Sequence, residues 1–151
     1  ALCLLLGFML GRKSKYEKRD YLKQFKIGKA TYSESLIYEA YGGLQNDGIM
    51  LAVYYDVDAA KIIHQLDSWE KINDSPTISS ILKNVSSYFG LDFVIPEIAS
   101  GNFFLYDNSQ HKELRSEAEM NTLLLHSEDV NFSLVVWDDE KHTIYIVEYR
   151  I

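Results

Sequence analysis

Four histidines, a single cysteine and many carboxylates are the groups in this chain with chemistry to offer. Their spacing limits what they can do. His64, His111, His126 and His142 fall in four separate segments, without the i, i+4 pair of a helical zinc site. Glu113, Glu117 and Glu119 crowd one polar stretch, and Asp138, Asp139 and Glu140 crowd one turn. Neither run alternates oxygen ligands around a central Gly as a calcium loop does. A Ser/His/Asp site assembles in space rather than in sequence, but no Gly-x-Ser-x-Gly turn is present to hold a strained serine nucleophile. Isolated histidines and solvated acidic loops are the reading these patterns favour, so no catalytic residue, metal ligand or cofactor is assigned. The enzymatic alternative is a small hydrolase or metal-dependent enzyme using His111 or His126 with acidic residues of 110–129.

The turn Gly42-Gly43-Leu44-Gln45-Asn46-Asp47-Gly48 invites comparison with phosphate-binding loops. Such a cradle needs a helix N-terminus after its glycines, and here a strand-like run follows. The turn therefore reads as a chain reversal, with Gly42 and Gly43 permitting a bulge or positive φ and Asn46-Asp47-Gly48 turning the chain. Cys3 is alone, which excludes an intramolecular disulfide and a Cys-based zinc site. Leu2 stands where a lipoprotein signal requires a small residue, so Cys3 reads as an apolar side chain.

Aromatic residues carry the strongest binding signal. In the C-terminal hairpin, alternation assigns Val135 and Trp137 to one face with Tyr145, Val147, Tyr149 and Ile151, and Leu134, Val136, Ile144 and Ile146 to the other. Both faces are then apolar, and a sheet with helices on one side normally shows polar residues on the other. Something must cover the second face. Either the chain covers it, by its long polar stretch or its N-terminal helix, or Trp137, Tyr145 and Tyr149 form a partner surface.

The elements that position these residues follow from periodicity. Ser35 to Tyr41 and Ile49 to Asp56 alternate as strands around the Gly-rich turn. Asp58 caps a short helix over Ala59 to Leu66, with Ile62, Ile63 and Leu66 on one side. Ser75 as N-cap and Pro76 at the first helical position open a helix whose stripe is Ile78, Ile81, Leu82, Val85, Tyr88 and Phe89, and Gly90 stops it. Phe93 to Ile95 and Asn102 to Tyr106 read as strands, and Gln110 to Asp129 as a long loop or loosely packed helix. Asn131 to Trp137 and Thr143 to Ile151 form the last hairpin. The fold class is α+β: an antiparallel sheet of four to five strands in two hairpins, helices packed on one face, and an apolar N-terminal helix ahead.

At 47% apolar and 25% charged, the chain fits one globular core. Its net charge of −7 is unevenly spread, because Arg12 to Lys29 holds eight Lys or Arg against Glu17 and Asp20. That segment is +6, which leaves −13 from Ala30 onward. An acidic domain is a poor ligand for nucleic acid. Residues 1–29 read as a hydrophobic anchor with a basic helical stalk, and 30–151 as one acidic domain. Ala1 to Leu10 is apolar apart from Gly7 and makes about 15 Å of helix against a ~30 Å hydrocarbon core, so a longer hydrophobic segment trimmed at its start is expected. A signal peptide or signal anchor is the expectation, with the membrane as one partner and a protein as the other. Sidedness stays open. The basic run alone holds the domain in the cytoplasm, whereas a basic flank upstream would export it, and the terminal position tips the expectation outward.

The Gly42 to Gly48 turn, together with Asn131-Phe132-Ser133-Leu134 and Ile144-Tyr145-Ile146-Val147-Glu148, resembles a group of small uncharacterised bacterial proteins with an N-terminal membrane signal. The resemblance spans Ser35 to Ile151. It implies a bacterial envelope setting and no activity.

Overall fold

A computed structural model describes residues 21–42, 47–72, 75–90, 95–126 and 130–151. The expected apolar N-terminal helix, Gly43, and Phe93 of an expected strand lie outside them. Period-two runs of Val, Ile, Leu and Tyr form the long strands, β1 (Glu34–Gly42), β2 (Asp47–Tyr55), β4 (Gly101–Asp107), β6 (Asn131–Asp138) and β7 (Thr143–Arg150). Two strands are too short to show alternation, β3 (Glu70–Lys71) and β5 (Lys112–Leu114). All seven join one antiparallel sheet in the order β1-β2-β7-β6-β4-β3, with β5 pairing the far end of β4. The fold is α+β as expected, with a larger sheet than the four to five strands read from the pattern.

The helices follow their caps. In α3 (Pro76–Phe89) the Ser75 hydroxyl accepts from the Ile78 N–H at 3.3 Å, and Gly90 ends the helix at φ 56, a left-handed conformation that costs glycine little. Ile78, Ile81, Leu82 and Val85 are buried, whereas Tyr88, expected on the same stripe, is 58% exposed. The step of four from Val85 lands on Phe89 and leaves Tyr88 farther round the helix. After Asp58, which accepts from the Ala60 N–H, a 3-10 turn Ala59–Lys61 precedes α2 (Ile63–Leu66). Ile62 and Leu66 are buried and Ile63 faces out, because the break between turn and helix shifts the phase. The polar stretch after Gln110 holds β5 and α4 (Glu117–His126).

Both faces of the sheet are covered. On the first, Leu51, Val53, Leu134, Val136 and Val147 pack with Ile78, Ile81 and Val85 of α3 and Met120 and Leu123 of α4. On the second, Met50, Ala52, Val135, Trp137, Ile144 and Ile146 pack with Tyr21, Leu22, Phe25 and Ile27 and with Val57, Ile62, Leu66 and Trp69. Helices on one face alone is thus corrected to cover on both. Tyr21, Leu22, Phe25 and Ile27 fall where a basic helical stalk was expected, yet all are buried. The short helix α1 (Tyr21–Gln24) ends in a Schellman turn, with the Ile27 N–H donating to the Leu22 carbonyl, the Lys26 N–H to that of Lys23, and Lys26 at φ 61. That turn drops Ile27 onto the sheet.

The register corrects the aromatic assignment. Four residues turn the last hairpin, so Asp138 faces Thr143, Trp137 faces Ile144 and Val136 faces Tyr145. Directly opposed residues share a face, and the expected phase was one residue off. Trp137 lies on the second face at 1% exposure, with its indole N–H donating to Asp139. Replacing Trp137 by Ala should cost about 3 to 5 kcal/mol in a denaturant melt, as large-to-small core changes do; a change within about 0.5 kcal/mol would place it on a surface instead.

Candidate functional site

The histidines are placed by turn geometry. Asp107 Oδ1 accepts from the N–H groups of Ser109 and Gln110 at 2.9 and 3.1 Å, and Asp138 Oδ1 from those of Glu140 and Lys141 at 3.0 and 3.2 Å. Each aspartate heads a four-residue turn that ends on a histidine in the left-handed region, His111 at φ 53 and His142 at φ 49. Pairing of Asp107 with Phe132 and of Gly101 with Asp138 sets these two turns at opposite ends of the sheet. His64 lies in α2, and the backbone of His126 closes α4. Among the described residues no group of three or more His, Cys, Asp or Glu could hold a metal ion.

The carboxylates of the polar stretch are engaged in building it. Ser75 and Thr77, at the N-terminus of α3, donate to Glu117, the Thr77 bond measuring 2.5 Å, which sets a negative charge where the helix dipole favours one. Arg115 bridges Glu70 and Glu113 at 2.6 and 2.8 Å. Glu119 accepts from Lys112 at 2.6 Å and from the N–H groups of Arg115 and Ser116 at 3.1 and 3.3 Å, while its own N–H donates to the Ser116 hydroxyl. This is a capping box, and its Ser-x-x-Glu spacing was the signal for α4 in the sequence. A cleft of about 270 Å³ beside it is lined by Asp107, Lys112 and Glu119 among others. Its charged groups already serve turns and ion pairs.

The three aromatic candidates are not brought together. Trp137 points to the second face, and Tyr145 and Tyr149 to the first. Burial, then the charge of Asp138, pushes the Tyr145 hydroxyl up to about 12. Tyr149 is half-buried and stacks on Phe132 with ring centroids 5.3 Å apart. Of the turn residues, Gly42 pairs with Asp47 and Gly48 with Tyr41. No helix follows them, and Gly48 is required by close approach, since a Cβ there would lie 2.4 Å from the Ala40 carbonyl oxygen.

Among the described residues, no strand or helix continues the sheet beyond β1. Nine residues long, β1 pairs only with β2 among the described residues, and its side chains are all exposed or half-exposed. Leu36, Tyr38 and Ala40 project to the first face and Ile37, Glu39 and Tyr41 to the second, apolar on both sides. At its Gly42 end a cleft of about 390 Å³ is lined by Ala40, Tyr41, Asp47, Ile49, Tyr88 and Ile151. Tyr41 is 50% and Ile151 54% exposed. Ile49 pairs with Tyr149, so that one sequence candidate adjoins the cleft. The sequence displayed the strand but not its position, because edge or centre is decided by long-range pairing.

Comparison with protein-family models, with characterised proteins and with solved structures yields no match. The site therefore rests on its own geometry.

Hydrogen bonds from Lys112, then from the Arg115 and Ser116 N–H groups, hold the Glu119 carboxyl at about 2, below its ordinary 4.5. A depressed carboxyl stabilises the fold above its unfolded pKa and loses that contribution as pH falls through the folded value. An NMR titration of the Glu119 side chain should show a midpoint near 2, moving upward in Lys112→Ala. An ordinary midpoint would contradict the capping box.

Proposed function

We propose that this chain is a non-catalytic interaction domain held at a bacterial membrane by its apolar N-terminal helix, with the β1 side of the sheet as its contact surface. The observation that carries the reading is the long, two-sidedly apolar edge strand beside a cleft rimmed by Tyr41, Tyr88 and Ile151. Exposed strand edges present unpaired N–H and C=O groups, and natural domains shorten or charge them unless they are used. Tyr at the rim suits the composition of protein interfaces.

The tether is supported by the order of segments. Ala1 to Leu10 leads into Arg12, Lys13, Lys15, Lys18 and Arg19, a basic flank that anionic headgroups attract. Lys23, Lys26 and Lys29 continue it and stay exposed on the segment that covers the second face. Among the described residues no helix is long and apolar enough to cross a membrane, so the tether belongs to the segment before Tyr21. The domain is read as lying outside the cytoplasm.

Fractionation of bacteria producing the protein with a photo-crosslinking residue at Tyr41 tests both parts. The protein should sediment with membranes, move to the soluble fraction when Leu4 and Leu6 are replaced by Asp, and give a discrete adduct from position 41 but not from exposed Leu125. Recovery of the unaltered protein in the soluble fraction would refute the tether. Equal or absent adducts at the two positions would refute the contact surface.

A further inference from the structure

The two edges of the sheet are managed differently. One ends in β3 and β5, two and three residues long, which leave little backbone to pair. The other is β1, with nine residues, no Pro and no Lys. Every second residue of an edge strand turns its N–H and C=O away from its neighbour, so β1 offers a row of hydrogen-bonding groups to an extended chain. The side chains beside that row are sorted. Tyr38 and Ala40 lead to the cleft on the first face, and Glu39 stands between Ile37 and Tyr41 on the second.

Charge decides what can lie there. Residues 30–60, which contain both strands of this edge, hold five carboxylates, Glu34, Glu39, Asp47, Asp56 and Asp58, and no Lys or Arg. On the second face Glu39 also accepts from the Tyr21 hydroxyl at 3.1 Å, and Arg150 lies two strands inward on the Tyr41 row. A second copy of the chain, paired β1 to β1 about a two-fold axis, would bring the same carboxylates to the same edge. An approaching cationic strand gains from that field.

We propose that β1 receives an extended basic segment of a partner protein by strand addition, its apolar residues over the first-face cleft beside Ala40, Tyr88 and Ile151 and its Lys or Arg residues along Glu39. This rests on the interaction-domain reading and specifies its partner. Main-chain hydrogen bonds supply the attachment, and alternate side chains supply selectivity.

The probe is a nine-residue peptide alternating Val and Lys, added to the full chain in neutral detergent and followed by fluorescence anisotropy, with isotope-edited infrared spectroscopy reporting whether the peptide enters a sheet. Binding should acquire a sheet signature, weaken with salt, and fall about fivefold in Glu39→Lys, the order expected for one exposed charge pair at its upper range. A peptide with Glu in place of Lys should not bind. Pro placed separately at Ile37 and Tyr38 separates folding from docking, since only one of these neighbours points its N–H outward. That variant should keep its melting temperature and lose the peptide, while the other should lose stability. Equal binding of the two peptides, or binding unaffected by either Pro, would overturn the proposal. So would self-association through β1 without peptide binding. In those cases the crosslink from position 41 in cells still reports whether the edge has a partner, so failure of the chemistry is distinct from failure of the interaction reading.

Discussion

Ile144 and Ile146 leave β7 on one side and Tyr145 and Val147 on the other, and all four are at most 3% exposed. Strands β2 and β6 flank β7 and repeat the pattern, with Met50 and Ala52 against Leu51 and Val53, and Val135 and Trp137 against Leu134 and Val136. A strand that is apolar on both sides is stable only as the middle layer of a sandwich. This constraint accounts for the rest of the domain. Helices α3 and α4 cover one face, and residues 21–30 with the turn after β2 cover the other. The described part of the segment read as a stalk is therefore part of the core, and its lysines face outward because the opposite side is occupied by the sheet.

The parts of the fold that were legible are those whose signal is local. Ser75, Pro76 and Gly90 mark their helix by capping chemistry, and the alternation of Ile49 to Tyr55 marks its strand. Phase across the last hairpin was not legible, because it depends on a turn whose length is set by Asp138 binding two backbone N–H groups rather than by composition. Placement of β1 at an edge and β7 at the centre follows from pairing between residues about a hundred positions apart, such as Ile49 with Tyr149. Ser116 and Glu119 did announce α4, but the polar stretch around them masked the signal.

Chemistry-bearing side chains turn out to do architectural work. Asp107 and Asp138 close turns, Glu117 binds the start of α3, Glu119 caps α4, and Arg115 ties Glu70 to Glu113. The candidate site came instead from backbone, along the edge where the sheet stops. Of Trp137, Tyr145 and Tyr149, only Tyr149 adjoins it, through its pairing with Ile49.

The central claim is that both faces of the sheet are closed and β1 is its opening. Native-state hydrogen exchange on the full chain measures this residue by residue. The account predicts that amides of β2, β6 and β7, and that of Ile27, exchange only through global unfolding. Along β1, protected and fast amides should alternate. Uniform protection along β1 would show that the edge is already covered, and fast exchange at Ile27 would show that the second face is not closed by the segment assigned to it.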